Sequence, residues 1–276
     1  MSAPELASDA LSRWENCAAF WDQTIGRDGN KYWKVLQEPC LGRLLGDHLA
    51  KPAAALELAT GNGLCARWLA DRGASVLATD GSDNMLEIAR GHMAGRDVEL
   101  RRLDVTRADE FEGLAREIKE GAGTRFDIVL MNMAIMDIAT LEPLAQALPG
   151  LLAHDGVFVG TILHPVFFTS GASKNIQVRY SQQTGELEVD RTLVLKNYMS
   201  VPPAKGIFKD GQPQKQLYFH RPMGELFVDF FRAGLVVDAI EELAFTEADR
   251  VDSRIDATCN FTELPVILAF RLRAIH

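Results

Sequence analysis

Residues 56–66, which read LELATGNGLCA, place an acid and two closely spaced glycines at the end of an apolar run. Gly61 and Gly63 lack a Cβ, so a turn built on them allows positive φ angles and close approach of the backbone to a ligand. A turn that leads from a strand into a helix also directs backbone N–H groups at the ligand. The spacing Gly61-x-Gly63-x-x-Ala66 fits the fingerprint of dinucleotide sites, and it equally fits a turn that holds S-adenosylmethionine.

Three acids follow strand-like segments and narrow the choice of ligand. Glu57 lies four residues before the first glycine. Asp80 ends the second predicted strand, where a carboxylate can accept both hydroxyls of a ribose, and Asp104 ends the third in LDVT, where it can meet an adenine amino group. An acid at position 57 favours a cationic ligand and disfavours a diphosphate. S-adenosylmethionine carries a sulfonium and an ammonium, so the acids favour it over a dinucleotide.

Alternating predicted strands and helices position these residues from about residue 53 onwards. Such alternation predicts a doubly wound, Rossmann-like α/β fold with seven strands, in which ligands bind at the carboxyl ends of the strands. Ser82 is the expected N-cap of the helix that follows Asp80. The last two strands, Leu235–Leu243 and Val266–Leu272, have no helix between them, so the final strand is expected to run antiparallel.

Two regions interrupt the alternation. Residues 1–50 show helical periodicity with a break at Pro39, and they are predicted to form an N-terminal helical cap. Residues 51–276 are the predicted main domain. Residues 164–221 are rich in proline and glycine, include a predicted strand pair around Glu186–Met199, and are expected to form a lid insertion rather than a second domain.

The bulk composition disfavours several classes of function. The chain has 276 residues, 47% of them apolar and 24% charged, which is ordinary for a globular protein. Its net charge of 29 − 38 = −9 and its lack of a basic block argue against nucleic acid and membrane surfaces as partners. The sequence shows no secretory signal and no long apolar run, so we expect a cytoplasmic protein. Reduced thiols and no metal site are expected, because no C-x-x-C spacing connects Cys17, Cys40, Cys65 and Cys259.

From about residue 53 to its end, the chain resembles class I S-adenosylmethionine-dependent methyltransferases. LELATGNG is similar to their first motif, V-L-D-x-x-x-G-x-G, and VLATDGSDNMLEIAR to their second. RLDVT, FDIVLMNMA and LLAHDGVFVG look like the third, fourth and fifth motifs. WENCAAFWD and LYFHRPM resemble a subgroup of small-molecule enzymes with an N-terminal helical cap. One departure is Glu57 and Thr60, which stand where aspartate and cysteine or glycine are common.

The resemblance implies S-adenosylmethionine as the cofactor and methyl transfer to a small molecule by in-line displacement. The residues that it assigns to the cofactor, from the methionine portion through ribose and adenine to the sulfonium, are Glu57, Ala59, Gly61, Gly63, Asp80, Gly81, Met85, Asp104, Val105, Asn132 and Met133.

Aromatic residues gather in the two regions that can cover the strand ends. Five of the 22 Phe, Trp and Tyr residues lie in residues 1–33 and ten in 164–231, whereas four lie in 34–163. This distribution predicts an aromatic-rich lid and an apolar or aromatic acceptor. The alternative is that these aromatic side chains pack against one another as the core of the lid and do not contact an acceptor. The expected lid residues are Trp21, Tyr32, Trp33 and Arg221, the last of which can pair with an acid of the acceptor or with an internal carboxylate.

Two histidines are candidates for the base that deprotonates an O- or N-nucleophile, because imidazole titrates near neutral pH. His164 directly follows the fifth predicted strand, and His220 lies in YFHRP. A structural hydrogen bond is the alternative role for each. Asp137, after the fourth predicted strand, is a weaker candidate.

Two other functions compete with methyl transfer. An NAD(P)-dependent oxidoreductase uses the same glycine turn, but Glu57, Asp104 and the lack of a Tyr-x-x-x-Lys pair argue against it. The second alternative is a non-catalytic binding protein that retains the methyltransferase fold. The sequence leaves open which acceptor is used, which atom is methylated and how many subunits assemble.

Overall fold

A computed structural model describes residues 2–275 of the chain. Its strands are β1 (Ala54–Leu58), β2 (Ser75–Asp80), β3 (Val98–Arg102), β4 (Phe126–Asn132), β5 (Leu152–Leu163), β6 (Ala172–Tyr180), β7 (Leu187–Leu195), β8 (Ala204–Gly206), β9 (Gln216–Tyr218), β10 (Leu235–Leu243) and β11 (Ile267–Ala274). Its α-helices are α1 (Ala3–Ile25), α2 (Glu38–Leu49), α3 (Leu64–Ala70), α4 (Asp83–His92), α5 (Ala108–Lys119), α6 (Glu142–Leu151) and α7 (Met223–Arg232). A π-helical turn covers Trp33–Gln37, and 3₁₀ turns cover Ile135–Asp137, Glu247–Asp249 and Thr258–Asn260.

Seven strands form one sheet in the order β3-β2-β1-β4-β5-β11-β10. The first five strands pair in parallel, while β11 runs antiparallel to both β5 and β10. The predicted doubly wound fold with a reversed last strand is confirmed. Because parallel strands share one direction, the carboxyl ends of β1 to β4 lie at one edge of the sheet.

Helices cover both faces of the sheet, which explains why its central strands β1 and β4 are mostly apolar. Along β4, Ile128 and Leu130 pack into the core formed with α2, α3 and α4, whereas Val129 and Met131 pack against α5 and α6. This alternation follows from the two-residue period of a strand. No helix within residues 2–275 has both the length and the apolar character needed to cross a membrane.

The N-terminal segment consists of α1, a short loop, the π-helical turn and α2. Pro39 was expected to break a helix, and it lies in the first turn of α2. The residues before it are already helical, and Glu38 donates its backbone N–H to the carbonyl oxygen of Trp33 in the π-helical pattern, so the widened turn accommodates a proline that has no N–H to donate. The chain therefore changes from π-helical to α-helical geometry at this point.

Residues 164–221 contain two small antiparallel sheets, β6 with β7 and β8 with β9. The strand pair predicted around Glu186–Met199 is wrong in its partner, because β7 pairs with the preceding segment, Ala172–Tyr180. Residues 181–186 form the turn, in which Gly185 has a φ of 74°. The hairpin is largely exposed on both faces, so its strands lack the alternation of apolar and polar residues that reveals a half-buried strand.

Candidate functional site

The carboxyl edge of the sheet gathers the predicted polar residues in the order of the strands. Asp104, Asp80, Glu57 and Asn132 follow one another along β3, β2, β1 and β4. A cavity of about 250 Å³ lies over them and is closed from above by α1. We call it the acidic cavity, because its lining includes Glu57, Asp80, Asp104 and Asp137 and, within the described part of the chain, neither lysine nor arginine.

Of the eleven residues assigned to the cofactor, all but Gly63 line the acidic cavity. Gly61 has a φ of 56°, has open space where a Cβ would lie, and donates its N–H to Asp80 Oδ2 at 2.8 Å. Gly63 has a φ of 77°, and a Cβ there would lie 2.1 Å from Met93 Cε. The flexible end of Met93 can move, so the positive φ is what favours glycine at position 63, which packs against the end of α4 and does not line the cavity.

Two residues other than glycine also have positive φ angles, Ala59 at 55° and Met133 at 54°. Both line the acidic cavity, at the ends of adjacent strands β1 and β4. Such conformations cost free energy and persist where the surrounding structure imposes them, as at ligand sites. They mark the same edge of the sheet as the acids do.

Glu57 and Asp80 are buried carboxyl groups with raised pKa values. Burial raises the pKa of Glu57 to about 8. A hydrogen bond from Thr60 Oγ1 to Glu57 Oε2, 2.5 Å long, acts in the opposite direction because it stabilises the charged carboxylate. Burial also raises the pKa of Asp80 to about 6, although it accepts the N–H groups of Gly61 and Ser82. Among the described residues neither carboxyl group forms an ion pair within 4.0 Å, and Arg67 acts on Glu57 only from farther away, so a cationic ligand would stabilise their charged forms.

The side-chain amide of Asn132 is fixed by neighbours on two elements. Its Nδ2 donates to Gln37 Oε1 at 2.9 Å, and its Oδ1 accepts from Thr161 Oγ1 at 2.7 Å. Thr161 Oγ1 also accepts the N–H of Met133 at 2.8 Å. This chain of bonds couples the end of β4 to β5 and to the π-helical turn.

Asp137 lies in the 3₁₀ turn after β4, and its carboxyl group is buried in the wall of the acidic cavity. Its Oδ1 is, within residues 2–275, the one buried side-chain oxygen or nitrogen atom without a hydrogen-bond partner. Burial raises the pKa of Asp137 well above the ordinary aspartate value, against a hydrogen bond with Trp14. An unsatisfied buried polar atom in a cavity wall is a position at which a ligand can bind.

Helix α1 supplies cavity-lining residues that the sequence analysis did not assign, namely Ala7, Ala10, Leu11, Trp14 and Ile25. The spacing of three and four residues among the first four places them on one helical face, a pattern that was available in the sequence. The helix is held by polar contacts to the edge of the sheet. Glu15 accepts the hydroxyl of Ser82 and the N–H of Asn84, and Asn62 Nδ2 donates to Asp22 at 2.9 Å.

A second cavity of about 600 Å³ lies beside the first. Its lining includes Lys31, Lys174, Lys209, Arg221, Arg254 and His220, with Asp256 as the one carboxylate among the described residues that line it. We call it the basic cavity. It adjoins the acidic cavity, because both are lined by Tyr32, Met136, Leu163, Phe208 and Tyr218.

The structure separates the two candidate histidines. His220 lines the basic cavity, and its Nε2 lies 2.6 Å from the carbonyl oxygen of Tyr198, so it donates there and leaves Nδ1 without a proton in the neutral ring. His164 is buried and lines neither cavity. Its Nδ1 accepts the N–H of Val166, and its Nε2 bonds Glu242 at 2.9 Å. Burial lowers the pKa of His164, and both its nitrogens are engaged, which is the structural alternative considered for it.

The four expected lid residues divide between the cavities. Trp21, Tyr32 and Trp33 line the acidic cavity, and Arg221 lines the basic one. Phe208 of the insertion connects two of them, with its ring centroid 5.2 Å from that of Trp21 and 6.2 Å from that of Tyr32. Trp33 is also a core residue, since it is buried and packs edge to face on Trp68.

Comparisons with known proteins identify a domain match within the chain and solved structures with a similar fold. Residues 56–158 match the family model described as a methyltransferase domain. No curated protein matches the sequence. An S-adenosylmethionine-dependent methyltransferase from Mesorhizobium loti is 20% identical with a TM-score of 0.61, over 90% of this chain and 100% of that one.

Two further solved structures cover nearly the whole chain. The CcbJ methyltransferase from Streptomyces caelestis is 16% identical with a TM-score of 0.57, over 97% of this chain and 99% of that one. The DhpI–SAH complex is 18% identical with a TM-score of 0.53, over 98% of this chain and 97% of that one. At these identities the likeness shows that the fold is shared.

Proposed function

We infer that this chain is a class I S-adenosylmethionine-dependent methyltransferase that transfers a methyl group to a small-molecule acceptor, which the methyltransferase-domain match over residues 56–158 and the shared fold support. One observation carries the inference. A cavity lined by acids at the strand ends adjoins a second, larger cavity across shared walls. This arrangement supports a cationic methyl donor in the first cavity and an acceptor in the second.

The residues of the acidic cavity fit S-adenosylmethionine in charge and in position. When bound, the cofactor supplies a methyl group on a positively charged sulfur. Glu57 suits its ammonium group, Asp80 its ribose hydroxyls and Asp104 its adenine amino group. A dinucleotide would bring its diphosphate among four acids with no basic side chain beside them, which argues against the NAD(P) alternative.

The protein contributes to catalysis mainly by aligning the acceptor and excluding water, because the methyl group of the cofactor is already electrophilic. The aromatic residues Trp21, Tyr32 and Phe208 support exclusion of water, since their rings meet across the shared wall. His220 is the better placed of the two histidines to take a proton from an O- or N-nucleophile, because it lines the basic cavity. For His164 we propose a positioning role at the end of β5.

We further propose that residues 51–276 are the catalytic domain, that residues 1–50 cover the cofactor, and that residues 164–221 are the lid over the acceptor. The contacts of α1 with the strand edge and of Phe208 with Trp21 support this division. The four cysteines are free and buried, which supports the expectation of a reducing, cytoplasmic environment.

Calorimetric titration with S-adenosylhomocysteine and, separately, NAD tests the cofactor. We expect S-adenosylhomocysteine to bind and NAD not to bind. Glu57→Gln removes the charge that pairs with an ammonium, and Gly61→Val forces a β-branched residue into a positive φ, so each should weaken binding at least about tenfold. The matched control is Glu112→Gln, an exposed position on α5, which should leave binding unchanged.

Binding of NAD in preference to S-adenosylhomocysteine would overturn the proposal. A product screen with labelled S-adenosylmethionine and small-molecule libraries then distinguishes an enzyme from a protein that only binds the cofactor. Transfer of label to an acceptor is the expected result, and binding without transfer to any class of acceptor would favour the non-catalytic alternative.

A further inference from the structure

The basic cavity differs in charge from the protein around it. The chain as a whole has a net charge of −9, yet five lysines and arginines line this cavity with a single carboxylate. That carboxylate, Asp256, is engaged by Arg254, whose Nε lies 2.9 Å from Asp256 Oδ1. A concave surface of one sign concentrates ligands of the opposite sign.

Arg221 is the most informative of these basic residues. Its guanidinium donates from Nη1 to the carbonyl oxygen of Ile135 at 3.3 Å and from Nη2 to that of Ile138 at 2.7 Å. Within the described residues no carboxylate lies within 4.0 Å of it, and Asp229 and Glu225 act on it only from farther away. Burial lowers the pKa of Arg221 to about 10. Buried charges are normally paired, so a half-buried guanidinium that is held only by carbonyl groups is a favourable partner for an anion from outside the chain.

The position of Arg221 connects it to the reaction site. Ile135 and Ile138, whose carbonyl groups hold the guanidinium, flank the 3₁₀ turn that contains Met136 and Asp137. Met136 lines both cavities. An anion on Arg221 would therefore fix an acceptor at a set distance from the wall that the two cavities share.

The rest of the basic cavity suits an apolar body. Aromatic rings from the N-terminal segment, the insertion and the loop after β10 line it, namely Tyr32, Phe168, Phe208, Tyr218, Phe219 and Phe245. A volume of about 600 Å³ lies in the range of small-molecule sites. The cavity thus combines an aromatic wall with an unpaired cation.

We propose that the methyl acceptor is an aromatic or similarly apolar small molecule with an anionic group, a carboxylate or a phosphate, and that this group pairs with Arg221. The proposal rests on the proposed function and defines its substrate class. The two ligands then have opposite charges and separate cavities, so each cavity attracts its own ligand and disfavours the other.

Four matched probes test the proposal on the full-length protein saturated with S-adenosylhomocysteine. They are 2-naphthoate, 2-naphthyl phosphate, 2-naphthylmethanol and 2-naphthylmethylamine, and their binding is followed by ligand-observed NMR titration. We expect at least one of the two anions to bind about tenfold more tightly than the alcohol, and the amine to bind most weakly. The comparison of carboxylate with phosphate identifies which anion the site prefers.

Arg221→Gln should reduce the preference for anions to less than about threefold, while Arg116→Gln, at an exposed position on α5, should leave it intact. If Arg221→Gln does not fold, Lys174→Gln at the rim should reduce the preference by about twofold. A preference for the alcohol or the amine, undetectable binding of both anions, or a preference that neither variant reduces would overturn the proposal. Failure of S-adenosylhomocysteine to bind would instead refute the proposed function itself.

Discussion

At the scale of single residues, the site is defined by ionisable side chains that have no partner of opposite charge. Within residues 2–275, Glu57, Asp80 and Asp137 of the acidic cavity have no cationic side chain within 4.0 Å, and Arg221 of the basic cavity has no carboxylate within that distance. Each state costs free energy in the ligand-free protein and is relieved when a ligand of opposite charge binds. Glu57 and Asp137 make this cost measurable.

Glu57→Gln should change how stability depends on pH in the ligand-free protein. The pKa of Glu57 is about 8 when folded and near 4.5 ordinarily, so the folded state keeps a proton that the unfolded state has released. The free energy of unfolding therefore falls as pH rises between these values. The pKa of Asp80 is about 6, so its part of the fall is largely complete by pH 6.

Between pH 6 and 8, the free energy of unfolding of the wild type should fall by about 2 kcal/mol more than that of Glu57→Gln. Urea denaturation across this pH range measures the difference. The exposed control Glu112→Gln should follow the wild type. Parallel curves for wild type and Glu57→Gln would show that Glu57 is ionised in the folded state without a ligand.

Asp137→Leu should raise stability and lower activity together. The substitution removes a buried carboxyl group whose Oδ1 has no partner, but it also removes the hydrogen bond with Trp14, so the net stabilisation should be about 1 kcal/mol. Because Asp137 lines the acidic cavity, cofactor binding or methyl transfer should weaken at least about fivefold. Denaturation and single-turnover assays give both quantities. The exposed control Asp252→Leu should change neither, and a loss of stability in Asp137→Leu would contradict the argument.

At the scale of elements, the residues at the start of helix α4 position the side chains of the site. The turn from β2 into α4 holds Asp80 while the hydroxyl of Ser82 accepts the N–H of Met85 at 3.1 Å, which confirms the expected N-cap. The same hydroxyl donates to Glu15 of α1. One small side chain therefore begins α4 and fastens α1 over the cavity.

Ser82→Ala should lower the free energy of unfolding by about 1 kcal/mol, since α4 loses its N-cap. It should also weaken S-adenosylhomocysteine binding severalfold, since Glu15 loses its bond with Ser82 and keeps only its bonds with Asn84 at the start of α4. Urea denaturation and calorimetry measure the two effects. Ser253→Ala, at an exposed loop position, is the control. A change of stability in Ser82→Ala no larger than that of the control would refute the assigned cap.

At the scale of the whole molecule, the two regions outside the alternating pattern meet over the strand ends. Phe208, from the insertion, contacts Trp21 of α1 and Tyr32 of the following loop. Tyr32 and Phe208, which are more than 170 positions apart in the chain, thus belong to the wall shared by both cavities, whereas Trp21 lines the acidic cavity alone. We expect this wall to control ligand entry and release.

Phe208→Ala should speed the release of S-adenosylhomocysteine by about fivefold, because two aromatic contacts are lost. Its effect on the free energy of unfolding should stay within about 1 kcal/mol, since the residue is 47% exposed. Stopped-flow displacement measures the rate. Tyr180→Ala on the β6–β7 hairpin, where the ring is 74% exposed, should alter neither quantity. An unchanged rate for Phe208→Ala would mean that the wall does not close over the ligand.

The sequence by itself determined the sheet and the acids at its edge. Strand periodicity and the strand-end positions of Asp80 and Asp104 are local patterns, and the rule that parallel strands share one edge turns them into a site. The reversed last strand followed in the same way, from the absence of a helix between β10 and β11. Strongly apolar segments form the same element in most contexts, which is why these predictions did not depend on the rest of the fold.

Only the tertiary structure decided which side chains face the carboxyl edge of the sheet and which partners they have. It brought His220 to the basic cavity and engaged both nitrogens of His164 elsewhere, although each histidine follows a strand in the sequence. It also left Asp137 and Arg221 without partners of opposite charge. A side chain's partners come from segments distant in the chain, so whether a charge is compensated depends on packing that no local pattern encodes.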